Sequence, residues 1–130
     1  MAANIYIVED HPFMQYSMVE FLNRTPDFHV CGATATAEAA LAQLPTLQTD
    51  LVLIDLSLPG KSGLELLQEL HATVPTLPCL MYSSYQEKTY VQQAMSAGAR
   101  GYLFKGEPLE LVNAMRQVLA GHAYVSQARR

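Results

Sequence analysis

Apolar residues along this chain recur in two alternating patterns. The first is a short, nearly continuous run: "NIYIVE" at 4–9, "HVCGAT" at 29–34, "DLVLIDL" at 50–56, "LPCLMYS" at 77–83 and "GYLFK" at 101–105. Runs of this length, bounded by turn-forming residues, predict strands. The third run is apolar on both faces, as expected of a strand at the centre of a parallel sheet covered by helices. Between the runs, apolar positions are spaced three and four residues apart, which predicts helices. Pro12 opens the first helix, with Phe13, Tyr16, Met18, Val19 and Leu22 as its inward stripe, fading by Thr25-Pro26. "AEAALAQL" is a short second helix closed by Pro45, and Leu64, Leu66, Leu67 and Leu70 mark a third. "EKTYVQQAMSAG" is a fourth, ending at Gly98, with only a thin apolar face of Val91, Ala94 and Met95. Pro108 opens the last, with Leu109, Val112, Met115, Val118 and Leu119 inward and Gly121 as its stop. Strand then helix, five times, predicts an α/β domain with a parallel sheet and right-handed crossovers.

Composition narrows this little. A chain of 130 residues, half of them hydrophobic and 15% charged, suits one compact domain and speaks against disorder. A net charge of −4 speaks against a basic nucleic-acid-binding surface. No apolar run is of bilayer-spanning length, and the N-terminus lacks the pattern of a signal peptide. Cys31 and Cys79 lie in apolar segments without metal-ligand spacing, which predicts reduced, buried thiols in a cytoplasmic protein. The four histidines also lack metal spacing. His11 adjoins an acidic pair and is expected at a loop or helix start. The folded unit is expected to occupy 1–121, and "HAYVSQARR" at 122–130 to begin a linker or tail.

Two features suggest phosphate chemistry. Gly60-Lys61-Ser62 resembles the end of a P-loop, G-x-x-x-x-G-K-[ST]. Asp55 stands where the first glycine of that loop would be, which puts negative charge where the loop must accept it. Gly60 to Gly63 is therefore expected to be a turn, with Ser62 as a helix N-cap. The second feature is the set of polar strand ends. A parallel sheet brings the carboxyl ends of its strands to one rim, where ligands bind. Glu9, Asp10, Asp55, Ser83 and Lys105 all fall there. Clustered acids repel one another, and a bound cation relieves that repulsion. An all-oxygen site with few protein ligands suits magnesium. Asp55 could then attack phosphorus as a nucleophile, with Lys105 offsetting charge on the transferring group.

At this point the chain resembles the receiver domains of two-component response regulators, over essentially its whole length. "DLSLPGKSGLELL" fits the pattern D-x-x-[ML]-P-x-x-x-G, with Asp55, Pro59 and Gly63 in place. "IVEDHP" and "GYLFKGEPLELVNAMRQVLAGHAYVS" resemble the subgroup with LuxR-type DNA-binding domains, the NarL/FixJ group. The resemblance implies a flavodoxin-like three-layer α/β sandwich, with a five-stranded sheet of order 2-1-3-4-5 and five helices. It implies that Asp55 accepts the phosphoryl group and that Glu9, Asp10, Asp55 and the backbone carbonyl of Ser57 hold Mg2+ or Mn2+. It further implies that Lys105 pairs with the phosphate, that Ser83 is the switch hydroxyl, and that Tyr102 is the aromatic that turns inward on activation. Glu9 stands where many receivers have a second aspartate, and keeps the charge. Tyr85, two residues after Ser83, is expected to shield the phosphoryl group from water.

The function implied is regulatory rather than enzymatic, apart from self-catalysed uptake and hydrolysis of phosphate. A sensor histidine kinase phosphorylates Asp55, and the face of the fourth helix, fifth strand and fifth helix changes state. Output is expected through transcription, by a helix-turn-helix domain not in this chain, with no membrane partner and DNA contacted only by that domain. A homodimer on phosphorylation is also expected. A stand-alone receiver acting by protein–protein contact is the alternative. A phosphatase of the haloacid dehalogenase type would need a second aspartate two residues after Asp55, where Ser57 stands.

Overall fold

The computed structural model describes residues 2–127. The strands are β1 (Ala3–Val8), β2 (Phe28–Thr34), β3 (Leu51–Asp55), β4 (Cys79–Ser83), β5 (Gly101–Phe104) and β6 (Tyr124–Val125). The helices are α1 (Pro12–Asn23), α2 (Ala37–Gln43), α3 (Gly63–Thr73), α4 (Lys88–Ser96) and α5 (Pro108–Leu119), with a 3-10 turn at Leu44–Thr46 after α2. The sheet order is β2-β1-β3-β4-β5-β6, and every neighbouring pair is parallel.

Alternation along the strands splits the core into two layers. Tyr6, Val8, Val52, Ile54, Met81 and Tyr102 meet Ala40, Leu66, Leu67, Leu70 and Ala94 from α2, α3 and α4. Ile5, Ile7, Leu51, Leu53, Leu80 and Leu103 meet Met18, Leu22, Leu111, Met115 and Val118 from α1 and α5. This is the three-layer sandwich expected, with one strand more than the five expected.

The additional strand, β6, follows Gly121, whose φ of +93° turns the chain after α5. Gly101 pairs with Tyr124 and Tyr102 with Val125, so the segment covers the otherwise open edge of β5. The Tyr124 hydroxyl and Ser126 Oγ both donate to Glu110 Oε2, at 2.8 and 3.1 Å, and fasten the strand to α5. Tyr124 and Ser126 are thus held against the domain, while 128–130 of the expected linker lie outside the described residues.

Three expected core residues are exposed instead: Phe13 by 82%, Tyr16 by 65% and Leu109 by 79%. All lie in the first two turns of α1 or the first turn of α5. Both helices begin beyond the carboxyl ends of the strands, where little sheet lies beneath them. Deeper in the same helices, Met18, Leu22, Met115 and Val118 are buried. Cys31 and Cys79 are free thiols; Cys79 is buried, which pushes its thiol up to about 12, whereas Cys31 is half-buried. Among the described residues, no helix is long and apolar enough to cross a membrane.

Candidate functional site

The carboxyl ends of β1, β3, β4 and β5 bring Glu9, Asp55, Ser83 and Lys105 together. Register accounts for this: Val8 pairs with Ile54, Asp55 with Tyr82, and Ser83 with Phe104. Asp55 is 2% exposed. Its Oδ1 accepts the Ser57 amide at 3.0 Å, and its Oδ2 accepts Lys105 Nζ at 3.0 Å. Lys105 Nζ also donates to Glu9 Oε1 at 3.2 Å. The backbone of Lys105 is fixed as well, because its amide donates to the Ser83 carbonyl at 2.9 Å.

The loop after Asp55 is held by close packing. A Cβ on Gly63 would stand 2.1 Å from the Asp55 carbonyl oxygen, so α3 can begin this close to β3 only with glycine there. Ser62 caps α3 as expected, accepting from the Glu65 amide while Glu65 Oε1 accepts from the Ser62 amide, both at 3.1 Å. Lys61 pairs with Glu69 rather than facing the site.

The two neighbouring acids differ sharply. Glu9 is wholly buried and each of its oxygens has two partners. Oε1 accepts the Tyr82 hydroxyl at 2.5 Å as well as Lys105; Oε2 accepts the His11 amide at 3.0 Å and lies 3.0 Å from His11 Nδ1. Asp10 is half-buried, and its Oδ1 is shielded from solvent with no hydrogen-bond partner; His11 Nδ1 is 3.4 Å away. His11 is both the residue before α1 and a neighbour of the site.

These groups make an acidic cluster suited to a divalent cation. One ligand atom each from Glu9, Asp10, His11 and Asp55 can lie within 4.8 Å of one another. The unpartnered Asp10 oxygen is a ready donor, and an oxygen-rich set favours a hard ion. Burial and the nearby Glu9 charge raise the Asp55 carboxyl above its ordinary range, against the pull of Ser57 and Lys105. Burial also pushes Glu9 upward, but the bonds from Tyr82 and His11 outweigh it and hold Glu9 low. Burial lowers Lys105, yet Asp55 and Glu9 more than compensate and keep it charged.

Ser83 is buried, and its Oγ accepts the Tyr85 amide at 3.0 Å. Tyr102 is already fully inside, with its hydroxyl donating to the Tyr85 carbonyl at 2.8 Å. Tyr85 is exposed and stacks on Tyr90, with ring centroids 4.8 Å apart. The site residue that sequence reasoning missed is Tyr82. Strand alternation assigns it to the α1/α5 side but does not show that its hydroxyl reaches Glu9.

Fold and site define a receiver. The response regulator receiver domain model matches residues 5–116, and the chain belongs to that family. It is 38% identical over 124 residues to the transcriptional activator protein ExaE of Pseudomonas putida, covering 95% of this chain and 58% of that one. It is 32% identical over 127 residues to the nitrate/nitrite response regulator protein NarL of Escherichia coli K12, covering 97% and 59%. A two-component response regulator of the LuxR family from Aurantimonas superposes with a TM-score of 0.90 at 30% identity, covering 95% of this chain and 89% of that one. The chain is thus a receiver of the NarL/LuxR type. It spans somewhat more than half the length of the two curated relatives.

Proposed function

We propose that this receiver accepts a phosphoryl group on Asp55 from a sensor histidine kinase and uses the added charge to reset the face formed by α4, β5 and α5. The observation that carries this reading is the Asp55 carboxylate, buried at the end of β3 between the Lys105 ammonium and the Ser57 amide, with an acidic pair beside it. In the transfer, an Asp55 oxygen attacks phosphorus; the phosphorus–nitrogen bond to the donor histidine breaks as the phosphorus–oxygen bond forms, and the imidazole leaves with the electron pair. Glu9, Asp10, Asp55 and the Ser57 carbonyl are the groups that would hold Mg2+ or Mn2+, which supplies charge neutralisation at the phosphoryl oxygens.

The remaining steps belong to the chain's own side chains. Lys105, already on Asp55 Oδ2, pairs with the new phosphoryl oxygens. Ser83 Oγ accepts from the Tyr85 amide, and its hydroxyl proton turns to donate to the phosphoryl group. Movement of Ser83 pulls on Tyr85, to which Tyr102 is bonded, and so on the start of α4. Water later attacks phosphorus and restores Asp55, with Tyr85 screening the approach. Residues 1–121 receive the phosphoryl group, and the β6 segment passes the change into the linker. The output is transcriptional, through a DNA-binding segment outside this chain, by analogy with the relatives named above. Phosphorylation favours a homodimer, and the protein acts in the cytoplasm.

Radiolabelled acetyl phosphate tests the acceptor. Labelling is expected for the intact chain with Mg2+ and is expected to vanish in Asp55→Asn. Undiminished labelling of that variant would overturn the assignment.

A further inference from the structure

We propose that Tyr82 is a positioning residue of the phosphoryl-transfer site, tying Glu9 and Lys105 into the arrangement that Asp55 needs. This rests on the reading of Asp55 as the acceptor. Tyr82 is 4% exposed and stands on β4 directly beside Asp55 in the register. Its side chain touches both groups that surround Asp55, by two different means. The hydroxyl donates to Glu9 Oε1 at 2.5 Å. The ring lies under Lys105, whose Nζ is 4.9 Å from the ring centroid. An ammonium over an aromatic face is attracted by the ring quadrupole, and a phenol hydroxyl is a strong donor to carboxylate.

The hydroxyl has one proton to give. Met18 Sδ also lies against it, but a thioether is a weak acceptor and a carboxylate a strong one, so the proton points at Glu9. This contact requires glutamate at position 9. An aspartate is one methylene shorter, and its carboxylate would stop short of the Tyr82 hydroxyl. Glu9 Oε1 is thereby fixed between Tyr82 and Lys105, while Oε2 is held by His11. These contacts from Tyr82, Lys105 and His11 hold the Glu9 carboxylate in one orientation among the groups that would hold the metal. Asp10 keeps the carboxylate oxygen that no protein group satisfies.

The ring restrains Lys105 in a further way. A cavity of about 220 Å³ opens between α1 and the loop before α5, lined by Met14, Phe21, Tyr82, Lys105, Pro108 and Leu111. It offers the flexible lysine stem an alternative place to lie, away from Asp55. The Tyr82 ring lines that space and gives the ammonium a favourable surface to rest on.

Simple core filling makes a different forecast, because it depends on the ring and not on the hydroxyl or on residue 9. The test is a double-mutant cycle between Tyr82→Phe and Glu9→Asp, read as the rate of Asp55 labelling by acetyl phosphate and as the Mg2+ concentration giving half the maximal rate. Thermal unfolding of each variant checks folding. With Glu9 present, Tyr82→Phe is expected to slow labelling by about 10-fold, as for loss of a hydrogen bond to a charged group, and to shift the Mg2+ midpoint. In the Glu9→Asp background the same change is expected to alter the rate less than about 2-fold, because the contact is already gone. Tyr82→Leu, which also removes the ring from under Lys105, is expected to be slower than Tyr82→Phe in both backgrounds. Equal effects of Tyr82→Phe in the two backgrounds would overturn the proposal. So would an unchanged rate and Mg2+ midpoint in Tyr82→Phe while the parent chain is labelled at Asp55. Absence of labelling in the parent chain would remove the acceptor reading, and the proposal with it, and is distinguishable from both.

Discussion

α4 and α5 lie against the same strand, β5, and are held to it very differently. α5 buries Leu111, Val112, Ala114, Met115 and Val118, and is fastened at its far side to β6 through Glu110. α4 buries Ala94 alone, with Val91 and Met95 half-covered, and its first turn rests on the Tyr85–Tyr90 stack. The chemistry at the rim touches both helices. Lys105 leads into α5, while Ser83 and Tyr85 lead into α4. When the single carboxylate charge of Asp55 is replaced by an acyl phosphate carrying about −2, the element with little buried area costs least to move. Within the face of α4, β5 and α5, the reset is therefore a movement of α4 against an anchored α5.

The contrast breaks first, and by most, if the cores are probed directly. Met115→Ala is expected to lower the unfolding free energy by about 2–5 kcal/mol in a urea titration, as for a fully buried side chain. Met95→Ala on α4 is expected to cost about 1 kcal/mol. Equal losses would mean that α4 is as firmly seated as α5. A second comparison concerns the start of α3, which is locked to the site. Gly63→Ala sets a Cβ against the Asp55 carbonyl and is expected to cost about 1–3 kcal/mol and to slow Asp55 labelling. Unchanged stability and labelling would show that the loop gives way freely. The smallest effect is expected at β6. Tyr124→Phe removes one bond to Glu110 and should cost about 1 kcal/mol or less, seen as faster hydrogen exchange confined to β6 and the edge of β5. Faster exchange throughout α5 would contradict its anchoring role.

Much of this arrangement is legible in the sequence, because a parallel sheet leaves little freedom in where strand ends go. Glu9, Asp55, Ser83 and Lys105 each close an apolar run, and five parallel runs bring them to one rim. The thin face of α4 is visible in the spacing of Val91, Ala94 and Met95. What was not legible depends on distances between elements. Periodicity places Phe13, Tyr16 and Leu109 on inward stripes, but it cannot tell that the first turns of α1 and α5 overhang the sheet. Gly63 reads as a turn residue, and only the packed structure shows the Asp55 carbonyl pressed against it. β6 is two residues long after a helix-stopping glycine, too short to carry a pattern. Tyr82 reads as strand filler, because alternation gives the face of a side chain and not what its far end reaches.

The most direct measurement is a two-dimensional amide NMR spectrum of the intact chain before and after Mg2+ and beryllofluoride, a mimic of the phosphoryl group, with Asp55→Asn alongside. Large shifts are expected at Asp55 and Ser57, across residues 83–96 and at Tyr102 to Lys105, with residues 111–118 of α5 little changed and no response in Asp55→Asn. A spectrum that does not change, a response that survives Asp55→Asn, or shifts in α5 as large as those in α4 would contradict the account.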